Sequence, residues 1–234
     1  LAGERLTRIL ARLVAAGGDA ATPGLLCTVA AELTSMSGAG VMVLADDTPQ
    51  ASLCTTGTLS SLLDELQYTL GEGPCIDAHR TGTVVAEPDL AAPVRARWPA
   101  FSPKAGDAGV RAIFAFPVRI GAARIGALSL YRVAPGPLSD DQQADALVMA
   151  DVIARAILAL QAEAPPGSVP AALVADLQTA VHQAAGMVSV QLGSSVGDAL
   201  VRLRAHAFRM DRPLSEVAGD VLDRRLRFDG PDAD

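Results

Sequence analysis

The chain has 234 residues, half of them apolar, only 3% aromatic, and a net charge of −7. That length suits one large domain or two small ones, with a sizeable core drawn from Ala, Val and Leu; the acidic balance excludes a global attraction to nucleic acid, so any such site has to be local. Cys27, Cys54 and Cys75 are odd in number, far apart and without a CxxC, which argues for a reducing cytoplasm and against a disulfide framework or structural zinc.

In chain order, residues 1–16 predict an amphipathic helix with Leu6, Ile9, Leu10, Leu13 and Val14 on one face. Arg5, Arg8 and Arg12 lie within it and no unbroken apolar stretch follows, so it does not read as a signal peptide. A second helix is expected over Pro23–Ser37, and GVMVLADD and ASLCTTG read as two strands around a turn near Asp47–Gln50. A helix over Leu59–Leu70 comes next, then a Gly/Pro-rich loop, LGEGPCIDAHRTG, and a short strand, TVVAEPDL. AIFAFPVRIGAARIGALSLYRV predicts two long strands joined near Gly121–Ala122. Ser139 is the expected N-cap of a helix reaching about Ala162, with Leu147, Val148, Val152, Ile153, Ile157 and Leu160 inward. An antiparallel sheet with helices at both chain ends is an α+β domain.

Three prolines and a glycine within residues 163–170 mark a connector, dividing the chain into 1–162, a Pro-rich linker 163–170, and 171–234. Behind the linker the pattern is helical throughout. Ala171–Leu192 carries Leu173, Leu177, Ala180, Val181, Ala184 and Val188 inward. Ser195 with Asp198 resembles a capping box that opens a helix with Leu200, Leu203, Ala207 and Met210 buried. Ser215 is expected to cap a third helix with Val217, Ala218, Val221, Leu222 and Leu226 at helical spacing, which gives a small three-helix bundle.

The run Leu177–Gly197 contains no charge over 21 residues, about the length of a membrane span. Gln178, Thr179, His182, Gln183, Ser189 and Gln191 make it too polar for lipid, so no membrane association is expected. An uncharged but polar helix has both faces in use, one against a core and the other for something read by short polar side chains.

In the front half, Cys75 and His79 form a Cys–His pair of the kind that can carry a nucleophile. The competing reading is a buried helical turn opened by Cys75 and Ile76, with Asp77, His79 and Arg80 capping and salt-bridging it. With no third group, no oxyanion donors and no cluster at metal spacing, the expectation is no enzyme and no metal. LGEGPCIDA together with Pro117, Val118, Gly121, Ile125, Gly126 and Leu128 resembles a GAF domain over residues 1–162. The resemblance implies a sheet that forms a cup for a small-molecule ligand and terminal helices that pair into a homodimer. It assigns no cofactor, and no bilin attachment pattern accompanies Cys75.

The rear half resembles an ANTAR domain, a family of RNA-binding antitermination modules. The match runs through Val181, Gln183, Ala184 and Gly186, then Leu203, Arg204 and Ala207, and then Val217 and Ala218. Ala185 and Gln178 stand where many members carry basic residues. The resemblance implies binding of paired RNA hairpin loops, with Gln183, Ala184 and Gly186 at the bases and His182 a polar neighbour at the site. Ala184 and Gly186 either admit a flipped base or merely permit close helix crossing. Arg202, Arg204, Arg209 and Arg212, with His206 beside them, are the expected phosphate contacts. Residues 199–228 hold seven arginines against four acids, a local +3.

These readings converge on a cytoplasmic, dimeric transcription antiterminator in which a GAF-like sensor governs RNA binding. The alternative is a DNA-binding, ligand-responsive transcription factor using RPLSEVAGDVLDRRL as a helix-turn-helix. Its would-be recognition helix is acidic at the start, through Glu216, Asp220 and Asp223.

Overall fold

The computed structural model describes residues 2–17, 22–45, 48–92, 97–163 and 176–228. The chain divides into two compact units, Leu1–Leu173 and Val174–Asp234.

The first unit starts with α1 (Ala2–Gly17) and α2 (Pro23–Leu33). Next come β1 (Gly38–Ala45), β2 (Thr48–Thr55), α3 (Thr58–Leu70) and α4 (Pro74–Thr81). It continues with β3 (Val85–Glu87), α5 (Phe101–Asp107), β4 (Ala112–Ile120), β5 (Ala123–Arg132) and α6 (Asp140–Glu163). The strands form one antiparallel sheet in the order β2-β1-β5-β4-β3. Alternation along the strands sends Val41, Phe114, Phe116, Val118, Leu128 and Leu130 into a core with α1, α2 and α6. Met42, Ile113, Ala115, Ala127 and Tyr131 enter a second core with α3, α4 and α5. The few aromatics are concentrated here: Phe101, Phe114 and Phe116 are among the largest fully buried side chains, in a core expected to be aliphatic.

The β4–β5 hairpin turns through Gly121 and Ala122, with Gly121 at φ 57°, the left-handed conformation that a tight two-residue loop needs. Five residues on, Gly126 lies against β1 so closely that a Cβ there would stand 2.3 Å from the Met42 carbonyl oxygen. Ser139 caps α6 as expected, its Oγ accepting the Gln142 N–H while Gln142 Oε1 accepts the Ser139 N–H. Arg5 and Arg8 of α1 reach Asp145 of α6, joining the two ends of the unit.

Several elements differ from the sequence reading. Thr48–Gln50, expected as turn, already belong to β2, so the β1–β2 connection is shorter. The expected loop LGEGPCIDAHRTG contains α4, started by Pro74 at its first position and stopped by Gly82 at φ 68°. α5 was not foreseen, since FSPKAGD contains Pro103 and Gly106; Glu72 Oε1 accepts the Ala100 and Phe101 N–H groups and fixes its start from outside. Leu10, Val14 and Leu147 belong to the helical stripes but face solvent.

The largest correction concerns the cysteines. Cys27 of α2 and Cys54 of β2 are joined in a disulfide, with Cα atoms 6.1 Å apart across 27 residues of sequence. Separation along the chain says little about distance here, because α2 packs directly on β2. Cys75 is a buried free thiol.

The second unit consists of α7 (Asp176–Leu192), α8 (Val196–Arg209) and α9 (Leu214–Leu222). Val181, Ala184, Ala185 and Val188 pack with Leu200, Leu203, Ala207, Leu214, Val217, Ala218 and Val221. Ser195 caps α8, its Oγ accepting the Asp198 N–H at 3.1 Å. Met210 is exposed rather than inward, because α8 ends at Arg209 and the chain turns away through Asp211 at φ 49°. Ser215 is not the cap of α9; Pro213 precedes the helix in extended conformation and Ser215 lies in its first turn. Leu173 and the rest of 171–175 lie outside the described residues. Among the described residues no helix is long and apolar enough to cross a membrane.

Gly126→Ala should destabilise the first unit by roughly 1–3 kcal/mol, because backbone has to move to admit the methyl group. Urea unfolding checks this, and a loss below about 0.5 kcal/mol would show that β1 and β5 can separate at low cost.

Candidate functional site

The first unit holds a buried polar layer between α3 and the sheet. Ser60, Asp64 and Gln67 recur at helical spacing and all point inward beside Leu63. A polar inward stripe is possible because the sheet beneath it lacks side chains at two places. A Cβ at Gly40 would stand 3.0 Å from Asp64 Oδ1 and 3.1 Å from Ser129 Oγ. One at Gly38 would stand 2.6 Å from both Thr56 Oγ1 and the Tyr131 hydroxyl.

Ser52 of β2 donates to Asp64 Oδ2 at 2.6 Å, and Thr56 and Ser60 share a hydrogen bond of 2.9 Å. Asp64 Oδ1, on a residue only 4% exposed, has no hydrogen-bond partner among the described residues. Burial pushes the Asp64 carboxyl up from 3.8 to about 7, against the opposing pull of the Ser52 hydrogen bond. The group is therefore divided between its two protonation states at neutral pH.

Gln67 connects this layer to α4. Its Oε1 accepts the Cys75 N–H at 2.8 Å and serves as the cap that α4 lacks locally. Gly73 makes room for it, since a Cβ there would stand 2.5 Å from Gln67 Cγ. Burial first, and the Asp64 charge second, push the Cys75 thiol up to about 12. A thiol held protonated is a poor nucleophile, so the Cys75–His79 pair lacks its reactive partner. The helical-turn reading describes α4 better: His79 is buried, Arg80 pairs with Asp77 at 3.6 Å, and Asp77 accepts the Trp98 Nε1–H.

The sequence reading missed Ser52, Asp64, Gln67 and Ser129. The available signal was the 60-64-67 spacing, as regular as the leucines of the same helix, together with Gly38 and Gly40 two apart on a strand.

In the second unit the residues expected at an RNA surface separate into two groups. His182 and Gln183 of α7 are exposed, with Gly186 half-buried beside them and Val190 82% exposed on the same side. A Cβ at Gly186 would meet nothing within 4 Å, so this glycine does not serve helix crossing within the unit. Ala184 is fully buried and cannot line a base pocket; for it the close-packing reading holds. Ala185 is also buried.

On α8, Arg202 and Arg209 are exposed and His206 lies on their flank. His206 rests against Phe228, ring centroids 5.5 Å apart, and its Nδ1 accepts from Arg209 Nη2 at 3.2 Å. Burial, then Arg209 and Arg212, lower the His206 pKa, so the ring adds no charge at neutral pH. Phe228 is fixed in turn by Gln191 of α7, whose Oε1 accepts the Phe228 N–H at 2.8 Å. Two expected phosphate contacts are placed differently. Arg204 is half-buried with Nε and Nη2 shut off from solvent. Arg212 is engaged by Asp220 at 2.9 Å and Glu216 at 3.4 Å.

A five-stranded antiparallel sheet with a helix layer on each face, and a polar layer enclosed on one side, defines an α+β module. Residues 24–158 match the GAF domain family, and the chain belongs to that family. GAF domains are sensor and regulatory domains. The chain is similar to the GAF domain of a phosphoenolpyruvate-protein phosphotransferase from Coxiella burnetii, with 15% identity and a TM-score of 0.54, covering 68% of this chain and 96% of that one. It is also similar to the GAF domain of the phosphoenolpyruvate-protein phosphotransferase from Acinetobacter, with 11% identity and a TM-score of 0.53, covering 69% and 95%. Likeness at such identity shows the fold. No curated protein matches the chain.

The raised Asp64 pKa gives a signed pH dependence. The protonated form is favoured on folding, so the Asp64 contribution is fully present below about pH 4 and is lost as the pH rises through about 7. Asp64→Asn should gain on the parent protein across that window by on the order of 4 kcal/mol. Urea midpoints of the two proteins at several pH values check this, and parallel curves would show that the carboxylate titrates normally.

Proposed function

We propose that the protein is a cytoplasmic transcription antiterminator in which the GAF unit senses a small molecule and governs binding of paired RNA hairpin loops by the α7–α9 unit. The observation that carries this reading is the outward side of α7. Gln183 is exposed there next to a glycine whose missing side chain opens onto empty space, and RNA loops are read by close approach of polar groups to unstacked bases. Arg202 and Arg209 supply the phosphate attraction. Both ANTAR-like spacing and the local excess of arginine support the assignment. Arg204 and Arg212 act as framework, and no catalytic step is assigned to the chain.

A DNA-binding reading through α9 is less well supported, because Glu216 and Asp220 stand on that helix and hold Arg212. Gel shifts with a two-hairpin RNA and a DNA duplex of the same sequence distinguish the two. RNA should bind more tightly, with a shallow salt dependence because few phosphates are neutralised. Gly186→Leu should abolish loop binding while leaving the melting temperature nearly unchanged. Arg202→Ala and Arg209→Ala should each weaken binding about tenfold. Equal affinity for both nucleic acids would reduce the surface to a generic basic patch, and tighter DNA binding would favour α9.

We further propose that the GAF unit is a homodimer joined through α1 and α6. Leu10 and Val14 are 46% and 63% exposed one turn apart on α1, and Leu147 and Leu158 are exposed on α6. Apolar stripes of this kind on two adjacent helices suit a helical partner. Light scattering should give the dimer mass at micromolar concentration, and Leu10→Asp with Leu147→Asp should give a folded monomer. A parent protein that is monomeric under those conditions refutes the dimer.

A further inference from the structure

We propose that Cys27 and Cys54 form a reversible thiol–disulfide couple through which the GAF unit registers redox state, with β2 as the responding element. This inference is independent of the RNA-binding reading.

The bond ties an edge strand to a helix. Among the described residues β2 is paired with β1 alone, and that ladder is interrupted twice, between Val41 and Met42 and between Val43 and Leu44. An interrupted two-stranded edge holds its outer strand weakly, so the covalent link to α2 provides much of the restraint on β2. The first interruption also changes which side the strand presents. Cys54 is opposite Val41, whose side chain enters the α2 core, whereas Ser52 is opposite Met42, whose side chain enters the α3 core. Leu53, skipped in the register, joins Cys54 on the α2 side.

One short strand thus carries the disulfide on one face of the sheet and the hydroxyl that binds Asp64 on the other. Releasing Cys54 frees the backbone two residues from Ser52, and the Ser52–Asp64 hydrogen bond is the contact exposed to that change. Asp64 Oδ1 has no donor among the described residues, so loss of Ser52 leaves the carboxyl without a hydrogen bond from any of them.

The chemistry needs a dithiol reductant and its disulfide form as the opposing oxidant. Cys54 is 8% exposed on the edge strand and Cys27 is fully enclosed, so the incoming thiolate attacks Cys54 Sγ. A mixed disulfide forms there, and Cys27 leaves as thiolate and takes up a proton. The second thiol of the reductant then attacks the mixed disulfide, releasing Cys54 as a thiol and closing the reductant's own disulfide. Cys75 does not compete, because it belongs to the core on the opposite face of the sheet and burial keeps it protonated.

Thiol titration of the denatured full chain should give one thiol before treatment with dithiothreitol and three after it. Hydrogen exchange on the native chain should then show β2 and the facing turn of α3 losing protection about tenfold on reduction. β4 and β5 should be unchanged, and oxidised dithiothreitol should restore the original pattern. Cys75→Ser should respond as the parent does. Cys27→Ser with Cys54→Ser should show the reduced pattern whether or not the reductant is present; if that variant fails to fold, the parent compared with and without dithiol still decides. Three thiols in the air-oxidised protein, unchanged exchange in β2, or loss of protection across the whole sheet would each overturn the proposal, the last by showing a purely structural staple.

Discussion

The near contact between α3 and β1 governs the whole α3 side of the GAF unit. Gly40 lets Asp64 of the helix approach the strand to a distance that a side chain there would crowd, and Gly38 makes room for Thr56 and Tyr131 beside it. The space left is shallow and is filled by hydroxyls, an amide and one carboxylate. A carboxylate in that position cannot be solvated, and only Oδ2 has a donor among the described residues. An unsatisfied buried polar atom costs roughly 1–3 kcal/mol, and the Phe114–Phe116 core on the other face is large enough to bear it. The same contact sets the position of Gln67, and through Gln67 the start of α4. Gly40 on one strand thus bears on the surroundings of the Asp64 carboxylate, and Gln67 of the same helix supplies the cap of the next.

What could be read from the sequence follows from the range of the interaction involved. The β4–β5 hairpin and the Ser139 cap are specified by residues within a few positions of one another, and both formed where expected. α4 carries equally local signals, Pro74 at the start and Gly82 at the stop, but its glycines and proline were read as loop formers instead. α5 has no such local code, since the group that caps it lies on Glu72, 28 residues away from Ala100. The Asp64 site and the disulfide are invisible for the same reason: each joins segments that only the packed sheet brings together. Periodicity found the stripe on α1 but could not separate Ile9 and Leu13, which the unit covers itself, from Leu10 and Val14, which it does not.

The second unit shows why counting charge is a coarse guide to a binding surface. A local excess of positive charge over residues 199–228 is real, yet the acids of that stretch are spent within it. Asp220 alone engages Arg212 and Arg225, and Asp223 takes Arg225 as well. Glu216 is in the first turn of α9, where the helix dipole favours an acid. These pairs hold α9 against the end of α8 and leave that helix without a net attraction for phosphate. Cationic side chains reach solvent on α8 through Arg202 and Arg209, with a neutral His206 between them, and beyond α9 through Arg224 and Arg227. On the RNA-binding reading proposed above, shape discrimination falls to the side-chain-free position at Gly186.

A regular strand keeps the two faces of a sheet separate, because residues i and i+2 point the same way. Ser52 and Cys54 break that rule. The extra residue at Leu53 places them on opposite faces, so their side chains communicate through two successive peptide linkages of the strand rather than through a packed layer. Displacement on the α2 face has no cushion of side chains to absorb it before it reaches the α3 face. Bulges elsewhere in proteins re-aim a side chain or end a ladder; here the bulge also makes the edge strand the shortest mechanical path between two cores. The buried carboxyl at the end of that path is balanced near neutrality, where a small change in its hydrogen bonding shifts the proportion of charged molecules most. Sensitivity and position therefore arise from the same few residues: Ser52, Leu53 and Cys54 on the strand, and Asp64 facing them from the helix.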